Sequence, residues 1–277
     1  MLNCIPQKYC VKIKRFMYAN IFIISWVMTI TCAQIAGKEP TIGWSELQKT
    51  GVVKAENPYP RIDEIPLPAG YRRLEPGSNN FGSWLRKLPL KKDKQVFLYN
   101  GERKRNQDAQ FAVLDLPIGD RDLQQCADAI MRLRAEYQFD RQAYDKICFW
   151  DNNGAAYRFT APHTRKNLAS YLLGVFGRSG SASLEKQLHK KPFHQMIAGD
   201  VLIRGGFPGH AVIVMDMAMN ANGEKIYLLA QGYMPAQDIH VLLNPSDANL
   251  SPWYKLNEAV TILTPEYIFT SAELKTW

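Results

Sequence analysis

Apolar positions recur at helical spacing in several parts of the chain. Leu168, Tyr171, Leu172, Val175 and Phe176 fall at i, i+3, i+4, i+7 and i+8, which predicts a helix over 165–176. Phe81, Trp84, Leu85 and Leu88 share a face behind Asn79-Asn80, a pair suited to an N-cap, so a helix is expected over 81–88. Cys126, Ile130, Leu133 and Tyr137 mark a third helix from about 123 to 137, and 184–188 a shorter one. Elsewhere the runs are short and β-like: 95–99, 109–116, 147–150 and 155–159, then 201–203, 211–217, 225–230, 239–243 and 259–263. Most helices precede a meander of strands, which predicts an α+β fold with helices packed on an antiparallel sheet.

The two ends of the chain differ in kind. Residues 1–33 carry Lys8, Lys12, Lys14 and Arg15 and no acid, then an apolar run from Met17 to Thr31 that is short for a membrane span of ~20 residues. A basic start, an apolar stretch and a small residue at its end describe a secretory signal, with the cut expected after Ala33. Cys32 offers a rival, lipoprotein-type acylation site. Residues 34–78, with Pro58, Pro60, Pro66, Pro68 and Pro76, read as an extended arm with a short helix near 44–49. Residues 79–277 form the single α+β domain. The expected location is the periplasm or cell envelope, with no transmembrane segment left after cleavage.

Composition sharpens this in one respect. The 277 residues have a formal net charge of +8, but the four bases of the leader leave with it, and a mature charge of +4 implies little about partners, so no nucleic-acid partner is expected. Basic stretches at 86–87, 91–94 and 103–105 have no interleaved aromatic ladder and read as solvated loops. His189 and His194 lack a third ligand at metal spacing, so no metal is expected. No glycine-rich phosphate motif is present and no cofactor is expected.

The chemistry that remains centres on a cysteine. Asp122 followed by Gln125 is a capping-box pattern that would start the helix at Asp122 and place Cys126 in its first turn. Backbone N–H groups and the helix dipole there favour a thiolate, and a nearby imidazolium would lower the thiol further. His210 follows Pro208-Gly209 and opens an apolar strand, at a sheet end that reaches solvent. Asp216 shares its strand parity but lies about 20 Å along the strand, too far to orient the ring. A hairpin turn at 220–223 brings His210 opposite residues 231–233, and Gln231 is the polar group there. Cys126, His210 and Gln231 are thus candidates for nucleophile, base and orienting residue. The Cys126 N–H, with Gln124 or Gln125, would hold an oxyanion. Two alternatives stand beside this: Cys126 as a small core residue, or Cys126 joined to Cys148, the other cysteine of the mature chain, in a disulfide.

The runs 122–137, 205–214 and 228–242, together with Ser251-Pro-Trp-Tyr254, resemble an uncharacterised family of exported Bacteroidetes-type proteins. More remotely, a Cys at a helix start, Gly199-Asp200 before a strand, Gly209-His210 opening the next and a polar residue one strand later are similar to papain-like cell-wall hydrolases of the NlpC and CHAP types. The resemblance implies a papain-like fold, Cys126 as nucleophile, His210 as base and Gln231 as orienting residue. It departs from that pattern in lacking Cys-Ser-Gly around the cysteine, and in having Gln where relatives carry His, Asn or an acid. The expected activity is hydrolysis of amide bonds, with peptide or peptidoglycan stem as substrate. The alternative is a non-enzymatic envelope binding protein on the same fold.

Overall fold

A computed structural model of the chain describes residues 56–75, 80–257 and 260–277. The leader, the cut after Ala33, the Cys32 site and the short helix near 44–49 lie outside the described residues.

The longest continuous apolar run forms the middle of the sheet. β7 (His210–Asn220) and β8 (Lys225–Gln231) make an antiparallel hairpin whose register sets Ile213 against Ala230. Its tight turn is held by Asn220, whose Oδ1 accepts from the N–H groups of Asn222 and Glu224. Pairing continues outward through β6 (Val201–Arg204), β13 (Leu274–Thr276) and β5 (His189–Lys190) on one side. On the other side lie β9 (His240–Leu242) and β2 (Gln110–Val113). Every pairing in this nine-stranded sheet is antiparallel, so the α+β expectation holds.

Alternation along β7 assigns a layer to each face. Ala211, Ile213 and Met215 pack with Ala129, Ile130 and Leu133 of α2 (Cys126–Asp140). On the same side lie α1 (Phe81–Arg86), α3 (Arg165–Phe176) and α4 (Ser181–Gln187). Val212 and Val214 face the other way, against Ile262 and Phe269 of a small ribbon, β11 (Thr261–Leu263) with β12 (Ile268–Thr270). A second ribbon pairs β3 (Cys148–Trp150) with β4 (Ala156–Arg158). β10 (Tyr254–Leu256) adds to β8.

The described part of the arm is built into this core. Ile62 and Ile65 are fully buried, and β1 (Tyr71–Arg73) pairs with the far end of β7. The 95–99 segment, expected as a strand, makes only isolated bridges, Phe97 with Arg103 and Leu98 with Gln237. Among the described residues no helix is long and apolar enough to cross a membrane.

Candidate active site

Three layers converge at one end of the sheet: α2 from the helical face, the start of β7 and end of β8 from the sheet, and the turn of the β11–β12 ribbon from the opposite face. α2 starts at Cys126 itself, four residues later than expected. The cap pattern is reassigned: the Gln125 N–H donates to Asp128 Oδ2 at 3.1 Å, the N3 half of a capping box. Asp122 is used elsewhere, its Oδ1 accepting from the Ala236 N–H at 2.7 Å and from Gln125 Nε2 at 3.1 Å. The approach of β8 to the helix start depends on Gly232, where a Cβ would sit 2.8 Å from the Gln125 carbonyl oxygen.

His210 is buried rather than reaching solvent, being only 3% exposed. Its ring lies among Tyr233, Tyr267 and Phe269, with centroids 4.9, 5.1 and 5.8 Å away. Gly209 before it has no room for a side chain, since a Cβ would meet the carbonyl oxygens of Gly206 at 2.5 Å and Arg204 at 2.8 Å.

The hydrogen bonds around the ring fix its tautomer. His210 Nε2 is 2.8 Å from Gln231 Oε1. Gln231 Nε2 donates to Glu266 Oε2 at 2.7 Å, and a carboxylate only accepts, so the amide cannot be turned around. His210 therefore carries its proton on Nε2 and keeps the Nδ1 lone pair free. His240 agrees: its Nδ1–H donates to the Asp238 carbonyl at 2.9 Å, leaving Nε2 to accept from Gln231 at 3.3 Å. Glu266 is held in turn by Lys104 Nζ at 2.5 Å and Asn106 Nδ2 at 3.1 Å.

Cys126 and His210 line one cleft of about 350 Å³, with Gln125, Asp128, Phe207, Tyr233, Met234 and Tyr267 among its other walls. The Ala211 N–H, next in chain to His210, points at the Cys126 sulfur. Cys126 and Cys148 are both free thiols, so no disulfide joins them. Gln125 stays at the cleft as an oxyanion candidate. Gln124 lines a separate groove with Leu172, its Oε1 accepting from Arg132, and is not on the Cys126 cleft.

The resting charge state is the reverse of the expected one. Burial pushes the Cys126 thiol up to about 11, with the Asp128 charge adding to it, and the N–H groups of Ala211, Ala127 and Cys126 offset this only in part. Burial also pushes His210 down to about 4, against the raising effects of Gln231 and Glu266. Near pH 7 the pair is therefore a neutral thiol and a neutral imidazole.

Sequence reasoning missed two members of the site. Lys104, read as part of a solvated basic loop, is 7% exposed and bound to Glu266. Glu266, in the ribbon turn, meets Gln231 only through the fold.

These features define an α+β protein in which a half-buried Cys126 shares a cleft with a buried His210–Gln231 pair at the end of an antiparallel sheet. The chain belongs to the family described as Domain of unknown function (4846), whose model matches residues 62–166 and 157–276. No curated protein matches the chain. No solved structure matches it either.

Proposed function

We propose that the protein is a papain-like cysteine hydrolase of amide bonds, acting in the cell envelope on peptide substrates such as peptidoglycan stems. The observation that carries this is the orientation of His210. Gln231, itself locked by Glu266, holds Nε2 and leaves Nδ1 as the only basic nitrogen of a ring that shares a cleft with a helix-start cysteine. That is the arrangement a general base needs when its partner is a thiol.

With both groups neutral at rest, attack and proton transfer go together. The Cys126 S–H bond breaks toward His210 Nδ1 while sulfur bonds to the amide carbonyl carbon. The resulting oxyanion faces the Cys126 N–H at the start of α2. Collapse breaks the C–N bond, and the proton on Nδ1 goes to the leaving amine. Water then cleaves the thioester, His210 taking one of its protons and returning it to the sulfur. Imidazolium formed in these steps is stabilised through Gln231 by the Glu266 carboxylate.

The test is release of new amino groups from isolated peptidoglycan and from a peptide library. Wild-type protein should release them, with trapped thioester on Cys126 by intact mass. Cys126→Ala and His210→Ala should each lose at least ~10³-fold of the rate. Equal release by wild type and Cys126→Ala would remove the hydrolase reading and favour a binding protein on the same fold.

A further inference from the structure

Two large apolar side chains stand at the wall of the Cys126 cleft, and the hydrolase reading gives them no task. Phe207 is 95% exposed, more than any other large apolar residue among those described, and Met234 is 61% exposed. Both contribute to the cleft wall with Cys126 and His210. Scattered apolar residues on a surface mean little, but two that share a concave wall mark a contact surface. Phe207 lies just before His210, on the loop entering β7, and Met234 just after Gln231, on the loop leaving β8. Neither loop is loose. The Gly205 N–H donates to Glu185 Oε2 at 3.2 Å and Ser181 Oγ to the Gly206 carbonyl at 3.4 Å, which ties the first loop to α4. Beyond Met234, the Ala236 N–H bonds Asp122, and the Ala236 carbonyl accepts the Tyr99 N–H at 2.8 Å. The backbone therefore holds both side chains out in water, where their apolar area forgoes the stabilisation that burial would give. An apolar group entering the cleft would recover it.

The charge on the cleft agrees. Among the described residues lining it there is no Lys or Arg, although the whole chain is basic, so a carboxylate-bearing side chain finds no cation here. Of the two acids, Asp122 already accepts from Ala236 and Gln125, and burial keeps Asp128 mostly protonated at pH 7. Phe176, Tyr233 and Tyr267 add aromatic surface to the same walls. We infer that Phe207 and Met234 are specificity-determining residues, which grip a large apolar side chain of a peptide next to the scissile carbonyl. The inference rests on the hydrolase reading for the bond that is broken. It deepens that reading by naming the peptide: an aromatic or long aliphatic residue beside the cleaved bond, ahead of small or acidic ones.

The experiment separates recognition from catalysis by using full-chain Cys126→Ala protein, which binds without turnover. Blocked dipeptides (N-acetyl, C-amide) of phenylalanine, alanine and glutamate are titrated by NMR. The phenylalanine probe should bind about 10- to 100-fold more tightly than either of the others, the range for apolar discrimination in a pocket. On the same background, Phe207→Ala with Met234→Ala should bring that preference to within about 3-fold and leave binding of the alanine probe unchanged. Phe207→Leu keeps apolar bulk and should keep most of the preference. Both positions are exposed, and a thermal melt checks that the fold is intact. Equal binding of the three probes, a preference that survives the double variant, or no binding of any overturns the inference. So does tighter binding of N-octanoylglycinamide, which would make the occupant an acyl chain rather than a peptide. Preference for the phenylalanine probe without any thioester or cleavage by the wild-type protein would sink the hydrolase reading and leave the apolar site standing. Cleavage of all three probes at one rate would do the reverse.

Discussion

β7 carries a buried acid–base arrangement at each of two places, and the two are finished differently. In its middle, Asp216 is fully buried and completely paired: Oδ2 takes Arg73 Nε at 2.7 Å, Oδ1 takes Arg86 Nε at 2.5 Å, and the Met217 N–H adds a third bond. Arg73 comes from β1 in the arm and Arg86 from α1, so this cluster fastens both to the sheet. At the start of β7, His210 is wired through Gln231 and Glu266, yet its cleft also holds Asp128 with one oxygen unpaired. A buried network whose valences are all met has the shape of a structural fastening. One that lines an open cleft has the shape of a site.

The largest effect that would break this contrast is on stability. Asp216→Ala leaves two guanidinium groups facing each other in low dielectric, and should cost about 3–5 kcal/mol in urea unfolding. Asp128→Asn removes a carboxyl that burial holds protonated without a counter-ion, and should cost no stability at neutral pH. Similar costs for the two would mean that Asp128 is structural after all.

The comparison also shows what the sequence can carry. The helix at 165–176 appears with the expected ends because its period is clear and Thr164 caps it, accepting from the Asn167 N–H at 3.1 Å. The β7–β8 hairpin follows from two apolar runs around an Asn/Gly-bearing turn, and it was enough to select Gln231. Local pattern fails where distant partners decide. Asp122 looked like the helix cap, but it bonds Ala236, 114 residues on, and the helix begins later. Glu266 and Lys104 lie 35 and 127 residues from Gln231, in segments whose local pattern is an ordinary turn and a basic loop. The thiol expectation failed for a related reason. A helix start lowers a pKa, but the depth at which the fold buries that start decides the net sign.

A second effect, of roughly 3 kcal/mol, separates the two regions by pH. Burial holds His210 at about 4 and His240 at about 3, below the 6.5 of an ordinary histidine. Their neutral forms belong to the native state, so the stability they allow is present above about pH 6.5 and is lost as the pH falls toward 4. Asp128 has the opposite sign. Its native pKa near 8 lies above the ordinary 3.8, so its contribution is complete below about pH 4 and declines as the pH rises to 8. Unfolding free energies measured from pH 4 to 8 should therefore show Asp128→Asn gaining on the wild type as pH rises. His210→Gln should flatten the acid limb. A pH-independent difference for Asp128→Asn would mean that its carboxyl titrates normally.

The smallest effect concerns the thiol, and it bears most directly on how the two halves of the site communicate. With a pKa near 11, native Cys126 at pH 7 is almost wholly protonated, and iodoacetamide reacts with the thiolate. Labelling of Cys126, followed by peptide mass, should be about 100-fold or more slower in the native protein than in the urea-unfolded chain. The native rate should climb about tenfold per pH unit until the thiol titrates. Asp128→Asn deletes only the lesser cause of the high pKa, burial being the larger, and the Asp128 carboxyl is itself mostly protonated below about pH 8, so the variant should speed labelling a few-fold above that pH and hardly at pH 7. An inflection near pH 6 that disappears in His210→Ala would instead reveal a resting thiolate–imidazolium pair. In that case the cleft would be active before substrate arrives.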